Sequence, residues 1–298
     1  MFKAKKYVLA FALVASLAAT GLASCAKKDL GDKAVTIYGA YGEAQSAAFQ
    51  AELDAWSKES GIKVTFTSLA SFDTDIKTKI AAGELPDIAI WPQPGGLLDQ
   101  SDNLLPLSDV IDLAPIQKTL VPGWDSLAQK DGKIFGLPIS ANVKTLVFYN
   151  PAEFTKHGYT VPTTWDGMQA LATKMAANKQ TPWCGGLGSG TATGWPATDW
   201  VEEVVLRTQG AAVYNQWWQH KIPFNDPKII SAMNTVSKWL QDPANVGDVK
   251  AIATRTFQAA GQAIPAGNGC MMLQQASFYA TQFPAGTDVS PTGDAWAF

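Results

Sequence analysis

The chain has 298 residues, 47% of them hydrophobic and 16% charged, a balance that folds and leaves room for two cores while excluding a disordered protein. Its 23 basic and 26 acidic residues give a net charge of −3, and no basic stripe suits it to nucleic acid or an anionic membrane surface. Two histidines and three cysteines, without His-Glu-x-x-His or Cys-x-x-Cys spacing, leave a zinc-type centre short of ligands, so neither metal nor cofactor is expected.

The first predicted element lies ahead of the fold. Lys3, Lys5 and Lys6 precede an apolar run from Tyr7 to Ser24, the layout of an export signal. The run ends in Leu22-Ala23-Ser24-Cys25, which resembles the lipobox of bacterial lipoproteins, where the cysteine thiol is acylated and becomes the first residue. On this reading residues 1–24 are removed, Cys25 carries lipid, 25–34 is a linker, and the protein works outside the cytoplasm on the cell membrane. The alternative is an uncleaved membrane helix, since about 18 apolar residues can just span a bilayer; the many Ala, Gly, Ser and Thr of the run weigh against it. Cys184 and Cys270 then remain, and in an oxidising compartment they are expected to form a disulfide. Two buried free thiols are the alternative.

From Ala34 the pattern reads strand, helix, strand, helix, strand. Val35 and Ile37 alternate with polar neighbours; Phe49, Leu53 and Trp56 fall at helical spacing up to Gly61; residues 62–66 alternate again. Asp73 to Ala82 is a second helix, and Asp87 to Trp91 a short buried strand. Strands alternating with helices predict a parallel sheet, with ligands at the strands' carboxyl ends: Tyr38 to Glu43, Leu69 to Asp73 and Trp91 to Gly96. Residues 132–138 read as a hairpin edge and 145–150 as a further strand, with 139–144 as the crossing between lobes. Beyond it helices dominate: Trp165 to Met175, Asp199 to Thr208, and one opened by Asp226-Pro227. Cys270 to Leu273 is a buried strand, and 294–298 reads as the start of another.

Catalytic patterns are missing. The segment Gly185-Gly186-Leu187-Gly188-Ser189-Gly190 matches neither a dinucleotide nor a phosphate loop, and Ser189 lacks the glycines of a nucleophile elbow. It is expected to be a turn or a place where backbone approaches a ligand closely. Glu202 and Glu203 lie about 100° apart around a helix and do not converge as a glycosidase pair would. The chain is rich in aromatics, with 11 Trp, 13 Phe and 7 Tyr. Trp56, Trp200 and Trp239 sit on apolar helix faces and are assigned to the core. Trp91 and Trp195 stand at a strand end and beside a glycine-rich loop, where a flat ring can stack on a sugar's C–H face while Glu43, Asp73, Gln93 and Asn142 meet its hydroxyls. Each of those polar residues could equally be a solvated loop residue or a cap.

Several stretches occur in one order: Gly61-Ile62-Lys63-Val64, Leu85 to Trp91, Gly136-Leu137-Pro138, Leu146 to Pro151, Val161 to Asp166, and Trp183 through Trp200. Together they resemble the extracellular solute-binding proteins of ABC sugar importers, most closely the alpha-glucoside and maltose type. The resemblance implies an α/β, two-lobed periplasmic-binding-protein-like fold of type II with a more helical second lobe. Residues 35–141 and 142–293 would be the lobes, and 294–298 the start of a return crossing. Members usually run a hundred or more residues further, so the chain is expected to lack a C-terminal part. A monomer of this kind is not an enzyme; it closes on an oligosaccharide and delivers it to ABC permease subunits. Trp91 takes the place of the family's stacking aromatic, Asn142 that of a polar hinge residue, and Phe278 that of a second-lobe Trp. With Trp195 these form two walls, and Tyr41, Glu43, Asp73 and Gln93 would orient hydroxyls. Rival readings are another solute, such as glycerol phosphate, polyamine or iron, or a secreted glycosidase. A phosphate would want cleft cations, for which Lys144 and Arg255 are the candidates.

Overall fold

The computed structural model describes residues 34–298; the apolar run and Cys25 lie outside the described residues. Strand β1 (Ala34–Gly39) pairs in parallel with β2 (Lys63–Ser68) along its whole length and with β3 (Ile88–Ala89) on its other side. Asp87 secures the start of β3, its carboxylate accepting 2.8 Å hydrogen bonds from the Thr36 N–H and hydroxyl. The crossovers are helices α1 (Glu43–Ser60) and α2 (Phe72–Ala82), each ended by a glycine in the left-handed region, Gly61 at φ 69° and Gly83 at φ 75°, where a side chain would be strained. Ile37, Val64, Phe72 and Ile76 are buried here, and Leu97, Leu113 and Ala128 are the lobe's further buried apolar residues.

Two expectations fail here. Trp56 is 48% exposed rather than buried. Ser57, the next residue, lies against the sheet, its hydroxyl accepting a 3.2 Å hydrogen bond from the Val64 N–H, and Trp56 is about 100° away from it around the helix, on a side that the sheet does not cover. Ile88, in the strand expected to be buried, is 49% exposed, because β3 is an edge strand among the described residues.

After the short helices α3 (Pro94–Leu98) and α4 (Ala114–Gln117), the hairpin is formed by β4 (Gln129–Lys130) and β5 (Lys133–Ile134), joined by Asp131 and Gly132 at φ 52° and 75°, the two positive angles that a tight hairpin turn requires. The chain then crosses to a second sheet of order β7-β8-β6-β9, from β6 (Leu146–Tyr149), β7 (Thr181–Trp183), β8 (Cys270–Gln275) and β9 (Trp296–Ala297). Its central pair, β6 and β8, is antiparallel, and β7 runs parallel to β8. Residues 294–298, expected to begin a return crossing, supply the edge strand β9 beside β6.

Period-two alternation gives this sheet two buried faces. Val147, Trp183 and Met272 pack on one side, against α5 (Pro151–Lys156), α6 (Trp165–Ala177), α7 (Trp195–Trp218) and α8 (Pro227–Leu240). Phe148, Leu273 and Tyr279 pack on the other. Trp183, Trp200, Trp239 and Trp165 stack on or edge into one another at 4.9 to 6.0 Å; Trp200 is a core residue as expected, and Trp239, partly buried, packs against that core. Asp226 caps α8 through the Lys228 N–H, and Pro227 follows at the first helical position. Helix α7 runs well past the predicted 199–208 and bends at Gly210, whose φ of 81° and ψ of 165° interrupt it.

Candidate functional site

The carboxyl ends of β1, β2 and β3 all point to one edge of the first lobe, and the residues that follow them line it. Tyr41 follows β1; its ring packs 5.4 Å from Phe49 and 5.3 Å from Phe66. Burial raises its phenol pKa, opposed by a hydrogen bond with Ser140 of the crossing segment. Glu43 is an exposed residue opening α1, and Asp73 an exposed residue in the first turn of α2.

Trp91 follows β3 and is half-buried, set edge-on to Phe72 at 5.6 Å. Gly96, in the short helix α3 (Pro94–Leu98), lies between two predicted residues: a Cβ on it would stand 3.4 Å from the Trp91 ring and 3.9 Å from the Asp73 carboxylate. Gln93 is exposed at the N-cap of α3 and makes no capping bond with its side chain. Trp91 and Asp73 are thus neighbours, whereas Glu43 and Gln93 extend into solvent at helix starts.

The opposite edge belongs to the second lobe. Trp195 opens α7, its ring 5.0 Å from Phe257 and 6.0 Å from Phe278, with Phe257 and Phe278 also 6.0 Å apart. Phe278 lies in a 3₁₀ helix, Ser277–Gln282, directly after β8. Phe257 was not singled out in the sequence, where it is 62 positions from Trp195 and follows no apolar period. It is brought in by a bridge between Gly188 and Thr256, flanked by hydrogen bonds from the Gly188 N–H to the Arg255 carbonyl (2.9 Å) and from the Phe257 N–H to the Gly188 carbonyl (3.0 Å).

That bridge corrects the reading of the glycine-rich loop. A Cβ on Gly186 would fall 2.7 Å from the Thr256 carbonyl oxygen, and one on Gly188 would fall 3.0 Å from those of Thr254 and Arg255. The glycines let two stretches of this chain meet; the close approach expected for a ligand is made by residues 254–256. Cys184 and Cys270 form the expected disulfide, with Cα atoms 5.1 Å apart.

The two edges face each other. A Cβ on Gly190, just before Trp195, would be 3.5 Å from the Ser71 hydroxyl at the start of α2; one on Gly42, before α1, would be 3.3 Å from the Gln282 amide. Asn142 in the crossing accepts a 3.3 Å hydrogen bond from the Ser277 hydroxyl. Both cations named for a phosphate are engaged elsewhere: Lys144 Nζ is 2.7 Å from Asp199 Oδ1, and Arg255 Nη1 donates to the Gly185 carbonyl at 2.8 Å. Glu202 accepts from the Tyr214 hydroxyl at 3.0 Å, and Glu203 pairs with Arg207 at 2.5 Å. Both carboxylates are thus engaged by side chains of α7 itself.

Two α/β lobes of this topology, facing each other across strand ends and joined by a crossing, define a type II solute-binding fold. Residues 39–297 match the bacterial extracellular solute-binding protein family, and the chain belongs to it. It is 35% identical over 260 residues to the osmoprotective compounds-binding protein GgtB of Synechocystis sp., covering 86% of this chain and 62% of the relative. To the alpha-glucosides-binding periplasmic protein AglE of Rhizobium meliloti it is 34% identical over 276 residues, covering 89% of this chain and 60% of the relative. The chain therefore spans about three fifths of the length of these relatives. Among solved structures it is similar to the bacterial solute receptor AcbH, described as having an exclusive preference for β-D-galactopyranose, with a TM-score of 0.73, 25% identity and coverage of 86% of this chain and 64% of that one.

Proposed function

We propose that this protein is the non-catalytic substrate-binding component of an ABC carbohydrate importer, and that it binds an oligosaccharide, an alpha-glucoside, between its lobes. The observation that carries the reading is the pairing of two aromatic groups on facing lobes: Trp91 beside Asp73, and Trp195 with Phe257 and Phe278. Flat rings stack on the C–H faces of a sugar, and adjoining carboxylates and amides take its hydroxyls. Tyr41, Glu43, Gln93 and Asn142 complete the proposed set. The name of the relative AglE, an alpha-glucosides-binding protein, supports a glycosidic solute, while that of GgtB speaks of osmoprotective compounds. A phosphorylated solute is disfavoured, because Lys144 and Arg255 are already bound within the chain. In this reading residues 35–141 and 142–293 are the lobes, the crossing is the hinge, and the closed, liganded monomer is what the permease subunits accept.

The test is a thermal-shift screen of the purified protein over mono- and oligosaccharides. A ligand at a hundredfold its Kd stabilises by about 2.7 kcal/mol, so a true alpha-glucoside ligand is expected to raise the melting temperature by several degrees, and the matching sugar phosphate to leave it unchanged. A shift with the phosphate alone would replace this reading with a phosphate-binding one.

The anchor is proposed from the residues before the fold. Cys25 carries lipid, and Cys25→Ser is expected to release the protein from membranes or leave an uncleaved precursor. Intact-mass analysis of exported protein checks it, and an unmodified N-terminus elsewhere than Cys25 rejects it.

A further inference from the structure

We propose that the crossing segment 142–144 positions the second-lobe aromatic wall, with Lys144 as the positioning residue for Trp195; the proposal rests on the reading that a sugar stacks on that wall. Trp195 and Asp199 are four residues apart on α7, so they lie on one helix face, and Lys144 reaches both. Its Nζ is 2.7 Å from Asp199 Oδ1 and 5.4 Å from the centroid of the Trp195 ring, within range of a cation–π contact.

The ion pair is a firm tether because one partner is buried. The Asp199 side chain is 5% exposed and its Oδ2 has no hydrogen-bond partner among the described residues, while Lys144 is 45% exposed. Leaving such a carboxylate without its cation is costly, so the otherwise free lysine is held in one place. The start of α7 offers no local substitute: its N-cap is Gly194, at φ 107°, which has no side chain to cap with.

The same three residues grip the other end of the wall. The Val143 N–H donates to the Ser277 hydroxyl and the Ser277 N–H to the Val143 carbonyl, both at 3.0 Å, while the Ser277 hydroxyl donates to Asn142 Oδ1 at 3.3 Å. Ser277 directly precedes Phe278. The segment that joins the lobes is therefore tied to Trp195 through Lys144 and to Phe278 through Ser277, and the wall moves with the crossing. The lysine thereby orients a ring that stacks on ligand, and its charge is spent inside the protein.

The test uses protein labelled with 5-fluorotryptophan, the Trp195 fluorine line being assigned with Trp195→Phe, alongside calorimetric titration of the sugar found by the thermal-shift screen. Lys144→Met is expected to shift and broaden the Trp195 line and to weaken sugar binding tenfold or more. Lys144→Arg, which keeps the cation and the pairing with Asp199, is expected to restore the line and to bind within threefold of the parent. Because Lys144→Met strands a buried carboxylate, Lys144→Met/Asp199→Asn removes both charges and guards against loss of folding; the same changes in line and affinity are expected. An unmoved Trp195 line in both Met variants overturns the proposal whatever the sugar does. A moved line with affinity held within threefold also overturns it. If the line moves but the parent binds no sugar, the functional reading has failed, and the role of Lys144 in placing a ligand fails with it.

Discussion

Trp91→Ala is expected to weaken sugar binding by about 2 to 4 kcal/mol, a loss of thirtyfold to nearly a thousandfold. The ring is half-buried, edge-on to Phe72 and next to Gly96 and Asp73. Removing it deletes a stacking surface, and the truncation falls at the lobe edge. Phe72, at 4% exposure, would gain solvent contact on one side, and stability should fall by roughly 1 kcal/mol, the typical cost of a point change. A core role for Trp91 would reverse the pattern, with a large drop in melting temperature from the cavity and unchanged affinity in the folded fraction. Calorimetric titration and a melting curve on the same variant separate the two, and unaltered affinity removes Trp91 from the site.

The second large effect belongs to the disulfide. Cys184 and Cys270 are separated by 86 positions, and closing a loop of that size limits the unfolded chain by about 4.5 kcal/mol at most, with about 2 to 4 kcal/mol usual. The native geometry does not depend on the bond alone: β7 and β8 pair in parallel through Trp183 and Met272, and the Cys184 N–H donates to the Met272 carbonyl at 2.7 Å. The double change Cys184→Ser/Cys270→Ser should therefore preserve the fold and lower its stability by about 2 to 4 kcal/mol in a denaturant titration. Exported protein, unfolded and titrated with a thiol reagent, should show no free thiol. Two free thiols in that material would contradict the bond.

Local punctuation made much of the architecture readable in advance. Gly61 ended α1 because a left-handed residue closes a helix cheaply only as glycine; Asp226-Pro227 opened α8 because the aspartate caps and the proline needs no N–H there. The alternation of strand and helix up to Trp91 predicted the parallel sheet, and with it the edge at which Tyr41, Asp73 and Trp91 gather. Those signals act within a few residues, so a sequence carries them whole.

Burial and partnership depended on distances along the chain that no local signal spans. Trp56 follows the spacing of Phe49 and Leu53, yet Ser57 is the residue that meets β2, and Trp56 is left exposed. Phe257 joined the second-lobe wall only because Gly186 and Gly188, about 70 residues earlier, allow backbone to touch backbone at 254–257. Lys144 read as a possible ligand cation, and folding turned it onto Asp199 and Trp195 instead. The kinds of element, their order and the stock of aromatic and carboxylate groups follow from near-neighbour chemistry in the chain. Which rings share a wall, which charges are already paired and which glycines serve the chain itself are decided by packing, since each requires two remote segments to occupy one place.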